Sequence, residues 1–195
     1  MHNDMSICDQ DFWRFSVSFY GYKNAQQLLI MLQDSEQANV NLVLFVIYLS
    51  VIKTSLNNRE IEQLKLAISD IDLKTNLLRA KRRHVKTELA IDSLSSSDTY
   101  QNLLKQELEM EKQQQVVLVN TYNQIVADRG GAGLSRNHVN MYSGQSNFQT
   151  KLAGLSKLIQ QCCGKNTQTE DLIGSLMTNL ECYLQESSSE IRPHQ

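Results

Sequence analysis

The side chains best placed to do chemistry are charged and fall in two blocks of opposite sign. Residues 77–88 hold Arg79, Lys81, Arg82, Arg83 and Lys86 against one acid, Glu88, while residues 99–128 hold Glu107, Glu109, Glu111 and Asp128 against Lys105 and Lys112. A serine-rich stretch separates them. If it turns an antiparallel helical hairpin, facing residues carry numbers summing to about 189 or 190, which sets Arg82 opposite Glu107 and Arg79 opposite Glu111. Arg82 shares an apolar line with Leu78, Val85 and Leu89, where a guanidinium must find an anion or suffer desolvation. Asp34 is a second candidate partner. Such pairs fix helix register more than they add stability, and removing one partner of a fully buried pair costs about 3–5 kcal/mol.

A competing use of the same cations is recognition. Arg79, Arg83 and Lys86 stand at i, i+4 and i+7, so they could form one protruding face that binds a phosphate, a nucleic acid or an acidic partner. The block has no interleaved aromatic and no glycine loop, features useful for single strands or nucleotides, so support for nucleic acid is weak.

Other chemistries find less. The paired Glu-x-x-His spacing of dinuclear helical bundles is absent, and His84 with Glu88 supplies two ligands, too few for a metal site. Cys8, Cys162, Cys163 and Cys182 form no C-x-x-C pair, and adjacent cysteines on a helix point about 100° apart and rarely bridge. The run Gly130–Leu134 lacks the lysine of a phosphate-binding loop. A Ser, His and Asp arrangement can occur in any chain order, but nothing here supports one. The expectation is therefore no catalytic residue, no cofactor and no metal.

The elements that must position these residues read as helices. The single proline, Pro193, leaves the first 192 residues free of its backbone restriction, as long helices prefer. Hydrophobic residues make up 41% of the 195, enough for a core without a metal or disulfide staple, and the net charge of −2 gives no global field to attract DNA, RNA or anionic lipid.

A first helix is predicted from about Asp9 to Tyr22, capped by Asp9 or Asp11, with Phe12, Phe15, Phe19 and Tyr22 facing the core. Trp13, Val17 and Tyr20 make a second line, so Trp13 and Tyr20 are candidates for cover by a partner. A short helix capped by Asn24 runs through Asp34, followed by a polar break at 35–38. Residues 40–52 form a central buried helix, too short for the roughly 20 apolar residues of a membrane span.

Asn57 or Asn58 opens a long helix to about Ile91, with a kink near Ser69 as an option and a seam of Ile61, Leu64, Ile68, Ile71, Thr75, Leu78, Arg82, Val85 and Leu89. The stretch 92–98 is the turn, and Ser97 caps a helix to about Asp128 that aligns Tyr100, Leu104, Leu108, Leu118, Tyr122 and Ile125. Helices are also predicted over 148–163 and 169–185, with a loose serine-rich tail from Glu186.

The run DFWRFSVSFYGY with LLIMLQDSEQANVNLVLFVIYLS, then LLRAKRRHVK and QELEMEKQQ, resembles the proteobacterial domain-of-unknown-function family 2390, with its FW-x-FS, LQD and VNL-x-LF landmarks. The resemblance covers roughly residues 9–118 and departs at Ala38, Asn39 and Tyr48, where the family pattern has a glycine, an acid and a tryptophan. It implies helical architecture and no assigned activity.

The combined reading is an all-α, antiparallel helical bundle of five to seven helices without a sheet. Its parts are a core over 1–128, a loop or linker over 129–147, a C-terminal helical hairpin over 148–187 packed on the core, and a disordered tail over 188–195. Free thiols and the lack of a signal peptide or membrane span fit a bacterial cytoplasmic protein. Helices apolar on two faces need cover, so the expected function is a non-catalytic interaction or regulatory module with a protein partner or as a homodimer. The alternatives are nucleic-acid or polyanion binding through the 79–86 face and an unrecognised helical enzyme.

Overall fold

The structure, a computed structural model, describes residues 6–54, 56–88, 97–131, 148–163 and 169–189. Within them lie seven helices and no strand: α1 (Asp9–Tyr20), α2 (Ala25–Glu36), α3 (Val40–Val51), α4 (Asn58–Glu88), α5 (Asp98–Gly131), α6 (Phe148–Cys162) and α7 (Thr169–Ser189). The protein is all-α.

A segment that is apolar on every side can stay helical in water only if other elements surround it. α3 is that segment: residues 41–49 are buried without a break. α1, α2, α5 and α6 all pack against it. Its start is fixed by Asn39, whose side chain accepts a hydrogen bond from the Leu42 amide at 2.9 Å.

The other helix starts correct the sequence reading in detail. Neither Asp9 nor Asp11 caps α1; Cys8 occupies the cap position without a side-chain bond, and both acids lie in the first turn, where they complement the helix dipole. Asn24 precedes α2 but its side chain makes no capping bond. α2 runs on to Glu36, so the polar break shrinks to three residues. Gln37 closes the helix in the left-handed conformation, φ 54°, with the Ala38 amide bonded to the Leu32 carbonyl.

α4 opens with a reciprocal cap. The Asn57 side chain accepts from the Glu60 amide at 3.1 Å, and the Glu60 carboxylate accepts from the Asn57 amide at 2.8 Å. From there α4 is unbroken through Ser69 to Glu88. Ser97 caps α5 by accepting from the Tyr100 amide. The turn around Ser95 and the end of the long helix at 89–91 lie outside the described residues. α5 continues past Asp128 into the glycine run, and the rest of the expected linker, 132–147, also lies outside them.

α4 packs against α5 antiparallel along its length, as the ties Glu60–Arg129, Thr75–Gln114 and Arg79–Glu111 trace out. α1 is held to α5 by Asn123, whose amide group exchanges two hydrogen bonds with the backbone of Ile7. α6 brings Leu155, Ile159 and Cys162 to the core, and α7 brings Ile173, Leu176, Met177 and Leu180. Tyr183 of α7 sets its ring against Phe15, Phe19 and Tyr22. α7 extends to Ser189, into the stretch expected to be loose, and Glu186 there meets Lys23 at 2.7 Å. Among the described residues no helix is long and apolar enough to cross a membrane.

Candidate functional site

The seam between α4 and α5 changes character along its length. At one end α4 offers Ile61, Leu64 and Ile68, and α5 offers Leu118, Tyr122 and Ile125, all buried. In the middle lies a layer of amides shared with the start of α3. Asn41 donates to the Gln114 side-chain oxygen at 2.8 Å and accepts from the Gln115 amide at 2.9 Å; Asn39 donates to Asp72 at 2.6 Å. Buried amides demand partners, and here the helices supply most of them to one another, the Gln115 side-chain oxygen staying buried without one among the described residues.

Beyond the amides the seam is ionic. Arg79, only 8% exposed, donates to Glu111 at 2.8 Å and to Asn76 at 3.1 Å. Arg82 donates through Nε to Glu107 at 2.5 Å, and that carboxylate holds the guanidinium pKa above its ordinary value. Thus the structure brings Arg82 to Glu107 and Arg79 to Glu111.

Asp34 meets Arg83, not Arg82, at 2.7 Å in an exposed pair between α2 and α4. One helical step decides this, since Arg82 turns into the seam and Arg83 turns toward α2.

Arg79, Arg83 and Lys86 do not form one protruding face. Arg79 is drawn inward by Glu111, Arg83 is paired with Asp34, and Lys86 alone stands exposed without an ion pair. The cleft at the α2–α4 contact, about 320 Å³, is lined by Asp34, Gln37, Asp72, Asn76, Arg79 and Arg83. Its charges answer one another, so it can hold helices in register.

Trp13 and Tyr20 are each half-buried by the chain itself. Lys112 of α5 lies 5.4 Å from the centre of the Trp13 ring, and burial raises the Tyr20 hydroxyl pKa, with a hydrogen bond to Gln26 opposing it. Of that second line on α1 only Val17 is largely exposed.

The face of α4 turned away from the core is not uniformly polar. Leu66, Leu73 and Leu77 are 77%, 64% and 56% exposed, and they point opposite to Ile61, Leu64, Ile68 and Thr75. Beside them a groove of about 340 Å³ runs between α4 and α5, lined by Lys74, Leu77, Leu78, Lys81, Glu109 and Met110. Leu108, expected on the packed side of α5, is also exposed, because Glu107, Glu111 and Gln114 occupy the seam instead.

Three features escaped the sequence reading: the ridge of leucines, the amide layer, and the Glu60–Arg129 pair, whose carboxylate also caps α4. Asn57-x-x-Glu60 is a readable capping signal, and three leucines off the seam register are a readable sign of a second apolar face. Nothing local to Gln114 or Gln115 marks them as buried.

The four cysteines are free thiols. Burial pushes Cys162 up to about 12 and Cys163 up to about 11, which leaves both protonated and unreactive near neutrality. No group of three or more His, Cys, Asp or Glu among the described residues is placed to hold a metal ion.

A family model described as "Protein of unknown function (DUF2390)" matches residues 11–118, which is more than half of the chain. No curated protein and no solved structure matches.

Proposed function

The chain belongs to this family of unknown function, whose description carries no activity, and we propose from its own surface that it is a non-catalytic protein-interaction module. The outward face of α4 is the contact surface. The observation that carries the reading is the ridge of Leu66, Leu73 and Leu77, three large apolar side chains held in water on a rigid helix. Exposed leucines scattered singly need no explanation, but here they recur seven and then four residues apart, the spacing of a helix-packing seam.

The arginines and buried thiols that other functions would use support the same reading by being paired or shut away. Recognition of a polyanion through the 79–86 face needs its guanidiniums uncovered, whereas Arg79, Arg82 and Arg83 are each committed to a carboxylate, which leaves only the lysines of that stretch outside an ion pair among the described residues. Catalysis needs poised groups in a cleft, whereas the thiols of Cys162 and Cys163 are shut off by burial. Four unpaired thiols and the family resemblance favour the bacterial cytoplasm as the setting.

The test is a photo-crosslinking amino acid placed at position 73 of the full chain in its host, with a second at Lys157 as control. Covalent adducts to protein are expected from position 73, and they should vanish when Leu66 and Leu77 are changed to Glu. Adducts that persist in that variant, or that arise equally from Lys157, would rule out the α4 face.

A further inference from the structure

We propose that the occupant of the α4 face is a second copy of this chain, packed antiparallel about a two-fold axis that passes between residues 71 and 72. The inference rests on the interaction reading above and names its partner.

The outward positions of α4 alternate three and four residues apart: Leu66, Asp70, Leu73, Leu77, Ala80, His84. That is the a/d pattern of a two-helix seam, distinct from the seam that faces α5. A helix that carries such a stripe twice, on opposite sides, is built to be covered twice.

The charges decide which helix covers it. Along α4 several ionic groups are paired within the protomer: Glu60 with Arg129, Glu62 with Lys65, Arg79 with Glu111, Arg82 with Glu107, Arg83 with Asp34. Asp70, Lys74 and Lys81, which border the leucine ridge, make no ion pair among the described residues. The acid precedes the two bases, so the stripe is complementary to its own reverse.

An antiparallel copy centred between 71 and 72 sets Leu66 against Leu77 of the partner and Leu77 against Leu66, because a two-fold contact is self-complementary by symmetry. Each Leu66 then sits at the mouth of the groove lined by Leu77, Leu78 and Met110. Asp70 falls beside Lys74 of the other copy, twice over and on the same side of the interface, which relieves Asp70 within an otherwise apolar layer. A parallel copy would place Asp70 against Asp70 and Lys74 against Lys74, and like charges penalise that arrangement.

Sedimentation of the full chain under reducing conditions, over a range of concentrations, tests the proposal. The wild type is expected to be a dimer at the upper concentrations. Asp70→Lys and Lys74→Asp singly should each weaken it about tenfold or more, and the double exchange, Asp70→Lys with Lys74→Asp, should restore it, since both inter-copy pairs re-form with reversed sign. An equimolar mixture of the two single variants should likewise associate.

A dimer indifferent to these changes would overturn the register and orientation. A wild type that stays monomeric at every concentration would overturn the second copy as occupant; if the crosslinks from position 73 still form and still need Leu66 and Leu77, the interaction reading survives with a different partner. These substitutions are on the surface of α4, so an unchanged thermal midpoint separates lost association from lost folding.

Discussion

A guanidinium that leaves water must bring a counter-ion with it, and at Arg79 that counter-ion comes from another helix. Glu111 is about one-third exposed while Arg79 is nearly buried, so the pair sits toward the weaker end of buried ion pairs. Glu111→Ala strands the arginine and is expected to lower stability by about 3 kcal/mol, seen as a lower urea midpoint with an unchanged slope. Replacing both partners with leucine should recover most of that loss, because no charge is then left without a partner. At Arg82 the raised pKa means that the arginine's contribution is complete below its ordinary, strongly basic value and is lost only above it, so this group gives no pH dependence near neutrality. Cys162 behaves differently. The folded chain holds the thiol proton more tightly than the unfolded chain, so stability is full below pH 9.0 and falls as pH rises from there toward about 12. Urea unfolding on either side of pH 9.0 should show this fall, and Cys162→Ala should make it shallower. Mass mapping after brief alkylation of the folded protein is expected to label exposed Cys8 and to spare Cys162.

At the scale of the element, the hairpin of α4 and α5 was legible because charge and apolar spacing obey the same arithmetic. Once one turn is assumed, every facing pair is set, and Arg79 stands opposite Glu111 for the same reason that Arg82 stands opposite Glu107. The polar middle was not legible. Gln114 and Gln115 are followed by Val116 and Val117, and only the arrival of Asn39 and Asn41 from α3 makes them interior groups. Long-range partners of that kind leave no local trace. Asn41→Leu removes one of two donors to Gln114 and the acceptor for Gln115, and is expected to cost about 1–3 kcal/mol, chiefly for the Gln115 amide left buried without a partner. The start of α4 gives a graded pair of variants. Asn57→Ala loses one half of the reciprocal cap and should cost about 1 kcal/mol. Glu60→Ala should cost more, since the same carboxylate also receives Arg129 through two of its nitrogens. Equilibrium unfolding of the two variants side by side checks the order.

For the whole molecule, helical character could be read from the absence of proline and from apolar spacing, but the extent of the core could not. The family match ends at residue 118, and the sequence sets a C-terminal hairpin on the core without saying whether that hairpin is an appendage. In the fold it is not one. Leu118, Val119, Tyr122 and Ile125 of α5 share a single core with Leu155 and Ile159 of α6 and with Ile173, Leu176 and Leu180 of α7. α7 lies against α2, and α6 lies against α3 and α4. A chain ending at Gly131 would lose the side chains that cover these faces. Each fully buried side chain contributes about 1.5–3 kcal/mol, so six of them (Leu155, Ile159, Ile173, Leu176, Met177, Leu180) amount to roughly 10 kcal/mol or more. Their own ordering cost disappears with them, but the exposure of Leu29, Phe19 and the α6-facing side of α3 does not. Set against the 5–15 kcal/mol of an ordinary domain, that loss decides the outcome. The truncated chain is expected to keep helical far-ultraviolet signal, to bind a hydrophobic dye, and to unfold in urea without a cooperative step when followed through Trp13 fluorescence. A sharp transition close to that of the full chain would mean that the first five helices close their own core, and that α6 and α7 merely rest upon it.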